Sequence, residues 1–230
     1  IGAFSTALPD FNVGGGDGND VINFNGDITF LSNASFDVNL QDDAPVIGTD
    51  RITVAAGANL RLSGTGEAVL KASQSITVLA GGSVETDDGN LTVEANLQAT
   101  PSVGNFIGVA LSNGILAVLG DGYLTVKGKG GNNAAGFQHG VSVSSTSTIS
   151  GGAIHSTYIQ GWGGPSTGIR NYGVLVEDAS VISGGGSVTV IGKGNGTGAS
   201  TTSHGVLVIN NSLIITNGTG DVSVTGTGCT

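Results

Sequence analysis

Two histidines and a tyrosine recur at one position of a repeated phrase. His139 opens "HGVSV", Tyr172 opens "YGVLV" and His204 opens "HGVLV", while Ile107 holds the same place in the earlier "IGVAL". Imidazoles at a shared position raise metal ligation or proton transfer. The spacing argues against a shared ion. His139 and His204 are two repeats apart with Tyr172 between them, about 10 Å if the repeats are stacked strands. Zinc binds ring nitrogens at about 2.0–2.1 Å, too short to bridge that gap. The expectation is a structural ladder of His139, Tyr172 and His204 with no metal, facing inward or capping a corner. The glycine after each, Gly140, Gly173 and Gly205, marks tight backbone at the bend.

The acidic pairs are Asp42/Asp43, Asp87/Asp88 and Glu177/Asp178. Acid–base work on a sugar needs two carboxylates converging on one bond. The best local set is Glu177 and Asp178 with Arg170. Arg170 precedes a strand and the acids follow its far end, so no convergence is expected. All three pairs read as solvated turns, no Ser/His/Asp order stands out, and no catalytic residue is assigned. The chain is read as a non-enzyme. For binding, the single Trp162 lies near Tyr158, Pro165 and Arg170, in what reads as an insert. Trp162 and Arg170, with Asn132 and Asn133 of the preceding insert, form the expected contact surface for carbohydrate or a partner. The other reading is that Trp162 packs onto the scaffold.

Such positions need a repeating scaffold. "DITF" at 27–30, "RITV" at 51–54 and "SITV" at 75–78 are each 24 residues apart, and "SFDV" (35–38), "NLRL" (59–62) and "SVET" (83–86) follow at the same spacing. A third set reads "PVI" (45–47), "AVLKA" (68–72) and "NLTVEA" (90–95). From residue 95 the same three sets continue with 31–34 residues per repeat. The additional residues enter between the third and first sets, in Gly-, Asn- and Ser-rich inserts that would stack into a wall along one edge. Three short strands per repeat predict an all-β chain: a right-handed parallel β-helix with three sheets and about seven coils, roughly 35 Å long.

Alternation sets the faces. Ile28/Phe30, Ile52/Val54, Ile76/Val78, Val141/Val143, Val174/Val176 and Val206/Val208 should point inward, with Val54, Val78, Val109, Val141, Val174 and Val206 in one column. Thr29, Thr53 and Thr77, and separately Thr92, Thr125 and Thr189, should form outward columns. The expected organisation is an irregular segment or cap at 1–20, coils of 24 residues over 21–95, and coils with corner inserts over 96–230. The chain stops directly after a third-set strand, so more coils are expected beyond 230.

Composition agrees. The chain has 230 residues, 42 of them glycine, with 10% charged, 5% aromatic and a net charge of −10. The first hundred residues hold 13 acidic and 3 basic side chains, and the remainder hold 4 of each. No basic patch offers itself to nucleic acid, and no apolar run is long enough for a transmembrane helix. The lone Cys229 cannot form an internal disulfide. The chain begins at Ile1 with neither Met nor signal peptide, as a mature form or an excised piece would.

Two resemblances add to this. "GGDGNDVIN" at 15–23 resembles the calcium-binding nonapeptide repeat of RTX proteins: Gly15, Gly16 and Gly18 match its glycines, Asp20 its aspartate and Ile22 its inward apolar position. Such sites need stacked copies and this is one. The segment is therefore read as an ordinary turn, with calcium through Asp20 as the alternative and no cofactor expected. The pattern "VTVxGxG…HGVxV", at 188–208 and partly at 124–143, resembles the β-strand repeat regions of large bacterial surface proteins. These include filamentous-haemagglutinin-like adhesins and autotransporter passenger domains. That resemblance covers roughly 20–228. It implies an extracellular or outer-surface location and a structural or adhesive rod that forms fibres or sheaths. The implied partners are further coils of the same or an identical chain, glycans, or a host or neighbouring cell surface. The alternatives are a carbohydrate-active β-helix enzyme and a non-catalytic glycan-binding module.

Overall fold

A computed structural model describes residues 8–41, 48–178, 180–198 and 200–229. Among them there is no helix, and the strands form three parallel sheets that close into a three-sided β-helix. The first sheet stacks Val21–Phe24, Arg51–Val54, Ser75–Val78, Val109–Ser112, Val141–Ser144, Val174–Val176 and Val206–Val208. The second stacks Ile28–Thr29, Asn59–Leu62, Ser83–Thr86, Ile115–Val118, Thr148–Ser150, Val181–Ser183 and Leu213–Ile214. The third stacks Phe11–Gly14, Phe36–Leu40, Ala68–Ala72, Leu91–Ala95, Leu124–Lys129, Thr157–Trp162, Val188–Lys193 and Val222–Thr227. Each strand pairs in parallel with its equivalents one coil away, so lateral edges are absent along the sides of the stack.

The expected strand sets hold from Arg51 onward, and the first coil is corrected. "DITF" does not stack under "RITV"; Val21–Phe24 does, placing Ile22 on Ile52 and Phe24 on Val54. Ile28–Thr29 belongs to the second sheet against Leu60 and Arg61, and Phe36–Leu40 belongs to the third against Ala68–Ala72. "PVI" and Asp42/Asp43 fall outside the described residues. The Thr29–Thr53–Thr77 column is broken for the same reason, since Thr53 pairs with Thr77 while Thr29 pairs with Arg61. Tyr158 stands between Thr125 and Thr189 in the other column.

The interior is filled by alternate residues of all three sheets, as a period of two requires. Ile52 and Ile76 lie under Val109, Val141, Val174 and Val206; Val54 and Val78 lie under Leu111, Val143, Val176 and Val208. The single column expected from Val54 to Val206 is therefore two adjacent columns. In the first coils Phe36 packs against Phe11, Phe24 and Phe30, with ring centroids 5.1–5.5 Å apart. Higher up the core is aliphatic. In the last rung Val206 is half-buried, and Val208, Leu213, Val222 and Val224 are exposed.

Candidate functional site

The wall of inserts leaves and re-enters at the corner between the third and first sheets, and two glycine columns build that corner. Gly128, Gly161, Gly192 and Gly226 are register neighbours in the third sheet. Gly108, Gly140, Gly173 and Gly205 face them across the bend. A Cβ on Gly161 would collide with the Gly173 carbonyl oxygen, and one on Gly192 with that of Gly205. Gly140, Gly173 and Gly205 are not in the left-handed region. Close backbone approach, rather than an unusual dihedral, is what excludes a side chain there.

Beside the first-sheet glycines the expected ladder forms. His139 and Tyr172 are stacked at 4.9 Å and 3° between planes, and Tyr172 and His204 at 5.6 Å and 16°. The ladder caps the corner from outside. Its rings line a groove of about 510 Å³ with Leu175, Leu207 and Glu177, while the interior is reserved for Val174 and Val176. His139 and Tyr172 are buried and His204 is exposed. The backbone N–H of Tyr172 donates to His139 Nδ1 at 3.3 Å. Burial lowers the His139 pKa to about 4.

The residue before each ladder ring carries a second column that sequence reasoning missed. Phe106 N–H donates to Gln138 Oε1, Gln138 N–H to Asn171 Oδ1, and Asn171 N–H to Ser203 Oγ. These buried side chains satisfy the backbone donors freed where inserts re-enter the coil. The available signal was the recurring "QH", "NY", "SH".

Two residues before the ladder, Phe137, Arg170 and Thr202 all adopt left-handed backbone, with φ of 59° at each. They turn their side chains toward the groove, and the Arg170 guanidinium sits 5.6 Å from the Phe137 ring centre. Arg170 and Glu177 therefore line one groove, and Asp178 is not among its lining residues. Burial raises the Glu177 pKa and the charge of Asp178 adds to it, while Arg170 opposes the shift. Burial also raises the Tyr172 hydroxyl pKa. Asp178 turns away and accepts a hydrogen bond from Asn210 Nδ2.

A second groove lies on the other side of the wall. Trp162 is not in an insert; it is the last residue of the strand Thr157–Trp162 and points outward, half-buried. Its register neighbours are Lys129 and Lys193. The three floor a groove of about 440 Å³ whose wall is supplied by residues 96–99, Pro101 and Asn195. Asn132 lines a smaller cavity of about 180 Å³ that shares Lys129 and Pro101 with this groove. Asn133 accepts from Ala135 N–H with its side chain and from the Ser166 hydroxyl with its carbonyl. Trp162, Arg170, Asn132 and Asn133 thus do not gather at one place: the wall separates Arg170 from Trp162.

At the calcium-like segment, Asp20 donates its backbone N–H to Asp50 Oδ1 at 2.7 Å, and Ser73 donates its hydroxyl to Asp50 Oδ2. Among the described residues no three His, Cys, Asp or Glu side chains are grouped to hold a metal ion. Asp87 pairs with Arg61, and Asp88 Oδ1 accepts the N–H of Asp121 one coil above. Both serve coil-to-coil contacts. Comparison of the chain with protein-family models, curated proteins and solved structures returns no match.

Proposed function

We propose that this chain is part of a structural or adhesive rod of a bacterial cell surface, acting outside the cell. The observation that supports this best is the placement of the inserts. All leave at one corner, so the stack lengthens along its axis while the wall, with a groove on either side, lengthens beside it. Such a scaffold carries contact residues at a fixed distance from an anchoring point, and further coils of the same or an identical chain extend it. The mechanism is mechanical and needs no cofactor. It is tested by labelling intact source cells with antibody to the chain, and by scoring adhesion of chain-coated beads to cells and to immobilised glycans. Labelling of unpermeabilised cells with bead adhesion is expected. Labelling only after permeabilisation would reject the surface assignment.

A carbohydrate-active enzyme is the second reading, favoured by one observation: Arg170, Glu177, Tyr172 and His204 line one groove. A carboxyl whose pKa is raised by burial is shifted in the direction that proton donation needs. Polysaccharide cleavage lost in Glu177→Gln would promote this reading over the first.

A further inference from the structure

The geometry points to an anionic saccharide chain as the ligand of the groove floored by Lys129, Trp162 and Lys193. This deepens the adhesive reading and rests on it for the ligand being extracellular.

Charge is the first argument. The chain has 7 lysines and arginines against 17 aspartates and glutamates. Arg61 is spent on Glu85 and Asp87, and Lys71 and Lys127 share Glu94. Arg51 bonds Gln74, and Arg170 stands over Phe137. Among the described residues, no carboxylate lies within ion-pair distance of Lys129 or Lys193. Among the described residues, no acidic side chain lines their groove. Among the described residues, the two lysines without an ion pair thus stand on either side of the only tryptophan.

Shape is the second. Register sets Lys129 and Lys193 one strand below and one above Trp162, about 10 Å apart along the rod. Across the rod, Tyr158, Gln160 and Trp162 point outward from one strand, and the Tyr158 hydroxyl donates to Gln160 Oε1. An aromatic face suits the C–H face of a pyranose, amides suit its hydroxyls, and flanking ammonium groups suit carboxylate or sulfate substituents. The wall is preorganised. Asn96 Nδ2 donates to Lys129 O, Ser102 N–H to Asn96 Oδ1, and Gln98 Nε2 to Ser73 O. Little ordering is left to be done on binding.

Trp162 is the only tryptophan, so its fluorescence reports this groove directly. The wild-type chain is titrated with polygalacturonate, dextran sulfate, neutral dextran and polyglutamate. A saturable change is expected with polygalacturonate or dextran sulfate, and the stronger of the two identifies carboxylate or sulfate as the group read. Added salt should weaken it. The Lys129→Gln/Lys193→Gln double variant should lose about tenfold or more in affinity, with an unchanged circular dichroism spectrum. Arg61→Gln, on the second sheet and outside both grooves, should bind as wild type. No response to either acidic polysaccharide, an equal response to dextran or polyglutamate, or unchanged affinity in the double variant would overturn the assignment. Bead adhesion without a Trp162 response would reject this groove and leave the rod standing. A Trp162 response without surface labelling would do the reverse.

Discussion

The imidazole of His139 lies flat on the ring of Tyr172, 4.9 Å away and 3° from parallel, although 33 residues separate them. The hydrogen bond from the Tyr172 N–H makes His139 Nδ1 an acceptor, so the neutral ring carries its proton on Nε2. One side chain thus joins two coils by a stacking contact and by a backbone bond that requires it to be uncharged.

A pH dependence follows. The His139 pKa is about 4 in the folded chain against an ordinary 6.5. Below pH 6.5 the unfolded chain takes up a proton that the folded chain refuses, so stability falls as pH drops and levels off below about 4. The full effect is roughly 3 kcal/mol. Urea melts of wild type and His139→Phe between pH 7 and 4 should diverge by that order, with the variant losing less.

The two histidines should not bind a shared metal. They occupy opposite faces of Tyr172, two stacking steps apart, whereas zinc–nitrogen bonds are about 2.0–2.1 Å. Purified protein is expected to contain no stoichiometric zinc or nickel. Metal found by elemental analysis and lost in both His139→Ala and His204→Ala would contradict the ladder.

The corner glycines should tolerate no side chain. Gly161→Ala sets a methyl against the Gly173 carbonyl, where only backbone could move, and a loss of about 3 kcal/mol is expected. Gly57→Ala meets open space at a φ of 71° and should cost about 1–2 kcal/mol, from backbone strain alone. Equal losses in the two melts would show that close approach does not govern the bend.

Val174 is fully buried in the core, whereas Val222 in the last rung is 41% exposed. Val174→Asp buries an unpaired charge and should cost about 3–5 kcal/mol. Val222→Asp should stay within about 0.5 kcal/mol of wild type. Indistinguishable melting curves for the two variants would mean that Val174 does not face the core.

Alternation of Val, Ile and Leu with polar residues, and repeat anchors such as Gly140, Gly173 and Gly205, determined the strands, the three sheets and the stacking from Arg51 onward. Those signals are local and periodic, and a stacked fold reads periodicity directly. The first coil escaped them. "DITF" and "RITV" are alike because strand propensity is alike in every sheet. Membership of a sheet was decided by packing: pairing Val21–Phe24 with Arg51–Val54 brings Phe24 against Phe36 in the core. The grooves divided in the same way. The His139–Tyr172–His204 ladder was legible because its members share a repeat position. Arg170 and Glu177 line one groove because a left-handed residue returns each insert to the outside of the first sheet. Trp162 meets Lys129 and Lys193 only because pairing register sets three distant strand ends side by side. Sequence spacing reports the period of a solenoid, but what stands beside what across a corner is settled by the tertiary path of the backbone.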